Sequence, residues 1–442
     1  MFFYNLRLAL LSLRRNPVLS ALMIVAIGLG IGAAMTMFTV YYQMSADPIP
    51  QKSSRLYRVQ LDNWDPNKPY APPDQAPAQV TYRDAVNLMN LHPGPMQNAM
   101  FRSSTVLQPP DETKPPFRVR VRATYRNFFP MFDTPFEYGG PWGKTADAQA
   151  KQVVVLSNDT NERLFGGEDS VGQRIKLYGR YFAVVGVLKP WRPTPRFYDL
   201  TSMAFAEPDD VYVPLSLTEP LQMQPGGIMS CWKSAGSDFQ SLLNSECVWL
   251  QFWVQLDTPA QVAAYKNFLD NYVREQKKLG RFPRPLNNHL RNVMQWLDYA
   301  RQWLGYAGFG AADNGVLVGL AFMFLVVCLV NMMGLLLAKF LGRAAQSGVR
   351  RALGATRAMI FYQHLVEVAV IGIGGGLLGL GLTWLGLRLV SALYRNYERL
   401  TQLDPTLAGI AIGIALVSAV IAGVYPAWRI CRTSVAMHLK TQ

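Results

Sequence analysis

Four stretches of the chain carry no charged residue: Asn16 to Ala46, Asn314 to Ala338, Val368 to Leu387 and Pro405 to Trp428. They are 31, 25, 20 and 24 residues long. About 20 apolar residues suffice to cross the hydrocarbon core of a bilayer as a helix. Four uncharged runs of this length argue against buried helices of a soluble protein and predict four membrane spans. Residues 47–313 have a different pattern, that of a mixed α and β domain. "SRLYRVQLD", "NAMFRSSTVLQ", "AKQVVVLS", "DDVYVPLSL" and "ECVWLQFWVQL" read as strands. "PFRVRVRAT" alternates strictly, as a half-exposed strand does. "QRIKLYGRYFAVVGVL" reads as a hairpin turning at Tyr178-Gly179-Arg180. "TYRDAVNLMN" and "NDTNERLF" are predicted helices. In "DTPAQVAAYKNFLDNYV", Thr258 can cap, Pro259 fits the first turn, and Val262, Tyr265, Leu269 and Val273 form one apolar stripe.

The predicted fold class is an α-helical membrane protein with an α+β extracytoplasmic domain, four transmembrane helices, and the domain inserted between helices 1 and 2. The expected order is an interfacial cytoplasmic helix (1–17), membrane helix 1 (18–46) and the extracytoplasmic domain (47–313), the last as two subdomains with one inserted at about 112–240. Membrane helix 2 (314–338), a cytoplasmic turn (339–357), membrane helix 3 (358–387), an extracytoplasmic loop (388–404), membrane helix 4 (405–428) and a cytoplasmic tail (429–442) follow. A cleavable signal peptide is the alternative for the first span, but the apolar run is too long and no clean small-residue site follows it. Pro17 favours a break between the first span and "FFYNLRLALLSLRRN", whose Phe3, Leu6, Leu10 and Leu13 form a stripe suited to an interface.

Charge orients the chain. The net charge is +14. The N-terminus, the 339–357 turn and the C-terminal tail together hold eleven basic residues and no acid. Short loops rich in Lys and Arg stay cytoplasmic, which predicts a multi-pass membrane protein with both termini inside. The 47–313 domain is nearly balanced, with 29 basic and 26 acidic residues. The cations are therefore not gathered on one soluble domain, and a nucleic-acid partner is not expected. By this topology Cys231 and Cys247 are the two extracytoplasmic cysteines, sixteen positions apart. An oxidising compartment favours their pairing, and a loop of that size would be held by roughly 3 kcal/mol. Two free buried thiols are the alternative.

Catalytic chemistry is not in view. "YGGPWGKT" falls one residue short of a phosphate-binding loop, has Tyr138 in place of its first glycine, and lacks a strand–loop–helix context. The four histidines are scattered, with no metal-ligand spacing. No catalytic residue, no metal and no cofactor are expected on this chain. Glu367 is the one acid beside an otherwise apolar span, with an interfacial packing role or a gating role open to it. Gly28 and Gly32, Gly372 and Gly376, and Gly375 and Gly379 have small-xxx-small spacing, suited to close helix contact within the chain or between two copies.

These motifs carry a resemblance. "AKQVVVLSNDTNERLFGGEDSVGQRIKLYGRYFAVVGVL" and "DPIPQKSSRLYRVQ" are similar to the extracytoplasmic core of MacB-type permeases. "LGRAAQSGVRRALGATRAMIFYQHLVEVAVIGIGGGLLG" and "IAGVYPAWRICRTSVAMHL" resemble the FtsX-like permease module of the same ABC transporter superfamily. The resemblance implies that the 339–357 turn couples to an ATPase through Gln346, Ser347, Gly348, Val349, Arg350, Arg351, Leu353, Gly354 and Arg357. The plainer alternative is that its arginines only set topology and bind lipid headgroups. An acid often stands in the family where this chain has Gln346. The ATPase, with its ATP and Mg, is expected on a separate ABC ATPase subunit, unlike the fused MacB arrangement. A second permease, identical or homologous, a periplasmic adaptor protein, an outer-membrane channel and membrane lipid complete the implied partners. The resemblance also implies that the membrane is the bacterial inner membrane. The implied function is export of a compound by mechanotransmission, with movement carried by Asp47–Arg55 and Leu290–Asp313. Lipoprotein handling and activation of a cell-wall hydrolase are the alternatives.

Overall fold

The computed structural model describes residues 2–91, 94–111, 113–304, 314–342, 349–350, 353–393 and 405–432. It divides into two compact units, Met1–Ser45 with Ala311–Gln442, and Ala46–Gly310.

The first unit is helical. It contains α1 (Phe2–Arg15) and α2 (Pro17–Ser45), followed after the second unit by α10 (Asn314–Leu341), α11 (Arg357–Leu393) and α12 (Pro405–Arg432). The chain breaks at Asn16, as Pro17 predicts: proline disfavours helical geometry in the residue before it and suits the first turn of the next helix. Among the described residues four helices, α2 and α10–α12, are long and apolar enough to span a membrane. α11 runs beyond the expected 358–387 at both ends, because the charges that bound the apolar run do not interrupt the backbone hydrogen bonds.

The helices meet through glycine notches. A Cβ on Gly28 or Gly32 would fall 2.8 or 2.7 Å from Leu378 or Leu382 of α11. One on Gly375 or Gly379 would fall 2.6 or 2.8 Å from Ile27 or Ile31 of α2. Gly372 and Gly376 face Ala419 and Ala415 of α12 in the same way. The small-residue faces left open by the sequence are thus filled within the chain.

The second unit contains α3 (Tyr82–Leu91), α4 (Phe128–Met131), α5 (Lys144–Ala148), α6 (Asn158–Phe165), α7 (Phe239–Leu243), α8 (Pro259–Lys278) and α9 (Val293–Trp303). Its strands are β1 (Leu56–Gln60), β2 (Met96–Gln108), β3 (Phe117–Thr124), β4 (Phe136–Gly139), β5 (Val153–Leu156), β6 (Arg174–Leu177), β7 (Arg180–Leu188), β8 (Val211–Pro214), β9 (Gln251–Gln255) and β10 (His289–Asn292). They form one sheet in the order β10-β1-β9-β2-β3-β8-β5-β7-β4, with β6 pairing β2 and β7. The strands of residues 112–240 fill one contiguous flank, joined to the other through the long antiparallel β2–β3 pair. β6 and β7 form the expected antiparallel hairpin, and Gly179 takes the left-handed backbone its turn needs (φ +74°). α8 begins in a capping box between Thr258 and Gln261 and buries Tyr265, Leu269 and Val273 on the core.

β3 departs from its sequence pattern. Val119, Val121 and Ala123 are buried as the alternation requires, yet Arg122 on the polar face is fully buried as well. β10 and α9 were not expected as elements. α9 is held by a capping box of Asn292 with Gln295 and inserts Trp296 into the interior.

Candidate functional site

The turn between α10 and α11 is built from local chemistry. Leu353 N–H donates to the carbonyl of Val349 at 3.0 Å, and Ala355 N–H to that of Arg350 at 3.0 Å. Gly354 sits between them with φ +96°, and no atom lies near where a Cβ would be. This is the glycine-terminated helix end in which a left-handed residue turns the chain sharply away. Thr356 then accepts from Met359 N–H at 3.3 Å, capping α11. The result is an elbow whose apolar side chains face outward: Val349 is 57% exposed and Leu353 82%. Arg357 is exposed at the first turn of α11. Arg350 donates from Nη1 to Gln363 Oε1 at 2.8 Å. Gln346, Ser347, Gly348 and Arg351 lie outside the described residues.

Glu367 lies beneath this elbow, 3% exposed. Lys339, at the end of α10, places Nζ 2.8 Å from Glu367 Oε1 and donates to Ser20 Oγ of α2 at 3.1 Å. Ser12 of α1 donates its hydroxyl to the same carboxylate oxygen. His364 Nδ1 stands 3.9 Å from Oε2, and its ring packs on Phe340 with centroids 4.2 Å apart. One buried ion pair thus ties the helices entering and leaving the turn, and engages α1 and α2 through hydroxyls. Sequence reasoning counted Lys339 only as a topology charge and missed Ser12 and Ser20. A signal existed: in the cationic side of the chain, a lone acid next to an apolar run needs a partner to be buried.

A second buried network lies in the inserted domain. Arg122 places Nη2 2.7 Å from Asp199 Oδ2 and Nε 2.9 Å from Asp209 Oδ2, with all three side chains fully buried. Gln251 Nε2 donates to Asp199 Oδ1 at 2.8 Å, and Arg102 and Arg196 approach Asp209 at 3.8 and 4.0 Å. Burial alone would raise both carboxyls. The charges of Arg122 and Arg196 outweigh it and hold both below the usual carboxylate range. Burial also pushes the Tyr198 hydroxyl far up, so it stays neutral beside them. The paired charges fix β3 and the residue leading into β8 to the segment around Asp199, which suits a structural role. Cys231 and Cys247 are joined in a disulfide, next to the bridge that pairs Ser230 with Val248.

Residues 20–272 match the MacB-like periplasmic core domain, and residues 318–435 match the FtsX-like permease C-terminal region. The macrolide export ATP-binding/permease protein MacB of Azoarcus sp. (strain BH72) is 24% identical over 439 residues, covering 99% of this chain and 59% of that protein. The chain thus spans well under two thirds of that relative's length. The uncharacterized ABC transporter permease YknZ of Bacillus subtilis (strain 168) is 23% identical over 409 residues, 88% of this chain and 87% of that one. The crystal structure of the periplasmic region of MacB from Actinobacillus actinomycetemcomitans aligns with 57% of this chain and 94% of its own, at 13% identity and a TM-score of 0.37. Four apolar helices with an α+β domain between the first and second, matched in order by both family models, place this chain in the MacB-like family of ABC transporter permeases.

Proposed function

We propose that this chain is the permease subunit of an exporter, driven by an ABC ATPase on a separate subunit that binds the ATP and Mg. The turn, the tail and the N-terminus face the cytoplasm, and the inserted domain faces the periplasm. The observation that carries this reading is the elbow. Val349 and Leu353 expose apolar side chains beside the glycine-terminated end of the turn, where solvent would favour polar residues. Arg357 adds positive charge for an acidic surface. Beneath the elbow, the Lys339–Glu367 pair clamps α10 to α11, so a push on the turn moves both helices together. A second permease, a periplasmic adaptor and an outer-membrane channel complete the assembly. The similarity to the macrolide export protein MacB of Azoarcus supports export.

Purification of the tagged chain from native membranes in mild detergent tests the reading. An ATPase subunit and an adaptor are expected with the parent chain, and the ATPase is expected to be lost with Leu353→Asp. Retention of the ATPase by Leu353→Asp together with Val349→Asp would remove the elbow from the mechanism. A cell-wall hydrolase in place of the adaptor would replace export with regulation.

A further inference from the structure

Strand β3 leaves part of one edge open. Val121 to Thr124 pair with β8 in parallel register, but β8 starts at Val211, opposite Val121. Just before it, Asp210 closes off Arg120. Its N–H donates to the Arg120 carbonyl at 2.9 Å, and its carboxylate accepts from the Arg120 N–H at 2.7 Å. Both backbone groups of Arg120 therefore face the β8 side. Those of Arg118, two residues earlier, face the same way, beyond the start of β8. A groove of about 370 Å³ lies there between this edge and α6, lined by Phe117, Arg118, Thr160 and Arg163 among others. We propose that the groove takes an extended acidic segment of a partner protein as an added strand on β3, its carboxylates meeting Arg118 and Arg163 and its apolar residues packing beside Phe117.

The backbone is the first reason. An unpaired strand edge is a template for another chain, and Arg118 offers it one N–H and one C=O. At about 3.3 Å per residue, the open stretch of β3 gives room for about three residues of a second strand. Charge is the second reason. Arg118 donates from Nη2 to a neutral acceptor, Ser104 Oγ, at 2.9 Å. Arg163 lies over the Phe117 ring, with Cζ 3.4 Å from its centroid. Both arginines are exposed, and neither has a carboxylate partner among the described residues. The two carboxylates that line the groove are already engaged, Asp210 by Arg120 and Asp159 by Arg192. The groove is therefore positive on balance, and a guanidinium takes a carboxylate through two parallel N–H bonds. A small free anion would meet the arginines and leave the strand edge unused. A basic segment would use the edge and be repelled by the arginines. An acidic extended segment satisfies both.

The inference rests on the sheet of the inserted domain and not on ATPase coupling or export, so it stands or falls apart from the proposed function. The full chain in neutral detergent would be titrated with a fluorescent heptapeptide alternating glutamate and valine, and with the same peptide carrying lysine for glutamate. Saturable binding of the glutamate peptide alone is expected, weakened roughly fivefold by each of Arg118→Gln and Arg163→Gln. Both side chains are exposed, so these variants should keep the parent's melting curve. Arg274→Gln, an exposed cation on α8, should leave binding unchanged. Hydrogen exchange read by mass spectrometry supplies the second measurement: the glutamate peptide should slow exchange over residues 117–120, because the Arg118 N–H gains an acceptor. Equal binding of the two peptides, binding of neither, or an Arg274 effect as large as the others would overturn the proposal and leave the arginines as charges that keep the edge from pairing. Saturable binding with unchanged exchange over 117–120 would overturn strand addition and make the groove a site for free anions.

Discussion

Glu367→Ala would leave the Lys339 ammonium buried without its counter-ion. Breaking a buried pair from one side costs about 3–5 kcal/mol, so a large fall in the thermal midpoint of the detergent-purified chain is expected. Lys339→Met combined with Glu367→Leu removes both charges and should recover most of the loss; a double variant as unstable as the single one would mean that the pair does not act as a unit. His289 makes a different prediction. Burial, with Arg291 and Lys266 nearby, pulls it down to about 4. It therefore stays neutral in the fold at pH values where an unfolded histidine is charged. Its contribution is complete above about pH 6.5 and declines as the pH drops toward about 4. His289→Gln should flatten denaturant-unfolding stability across that window. The depressed carboxyls Asp199 and Asp209 act lower: their contribution is present above about pH 4 and is lost as the pH falls through their lowered values. The variant and the parent should then lose stability together in strong acid.

At the scale of elements, the glycine notches set how α2, α11 and α12 pack. Gly375→Val would drive a side chain into Ile27, and overpacking of this kind costs about 1–3 kcal/mol. Gly381, on the same helix, has open space where its Cβ would stand, so Gly381→Ala should be neutral or stabilising by up to about 1 kcal/mol. A matched pair of melting curves checks this, and equal shifts would mean the notches do not hold the helices. In the inserted domain, replacing Cys231 and Cys247 with serine opens a loop whose closure is worth about 3 kcal/mol by its length. Non-reducing peptide mapping of the parent chain should recover the two cysteines linked.

For the whole molecule, orientation is the claim on which the proposed function depends. A membrane-impermeant thiol reagent applied to intact spheroplasts should label Tyr181→Cys, at an exposed position of β7, and spare Leu353→Cys until the membrane is opened. The reverse pattern would place the inserted domain inside the cell and end the proposed mechanism. The two units also differ in what holds them. The inserted domain is a sheet with a buried aromatic and apolar core and a fully buried charge network. The helical unit keeps large apolar side chains such as Val326, Val327 and Leu377 on its outside, as helices surrounded by lipid do.

Much of this was legible from the chain alone, because the signals are local. Missing charge over some 20 residues marks a span whatever surrounds it. Alternation marked the strands, and Thr258 and Pro259 marked the start of α8. Tertiary structure decided the pairings. "PFRVRVRAT" reads as a strand with one wet face; only the arrival of Asp199 and Asp209 allows Arg122 to lie dry. Small-xxx-small spacing does not say which helix fills the notch; Ile27, Leu378 and Ala419 do. Lys339 and Glu367 become one feature only when the fold brings the end of α10 beside Glu367, because a charge can leave water only where its partner is already waiting.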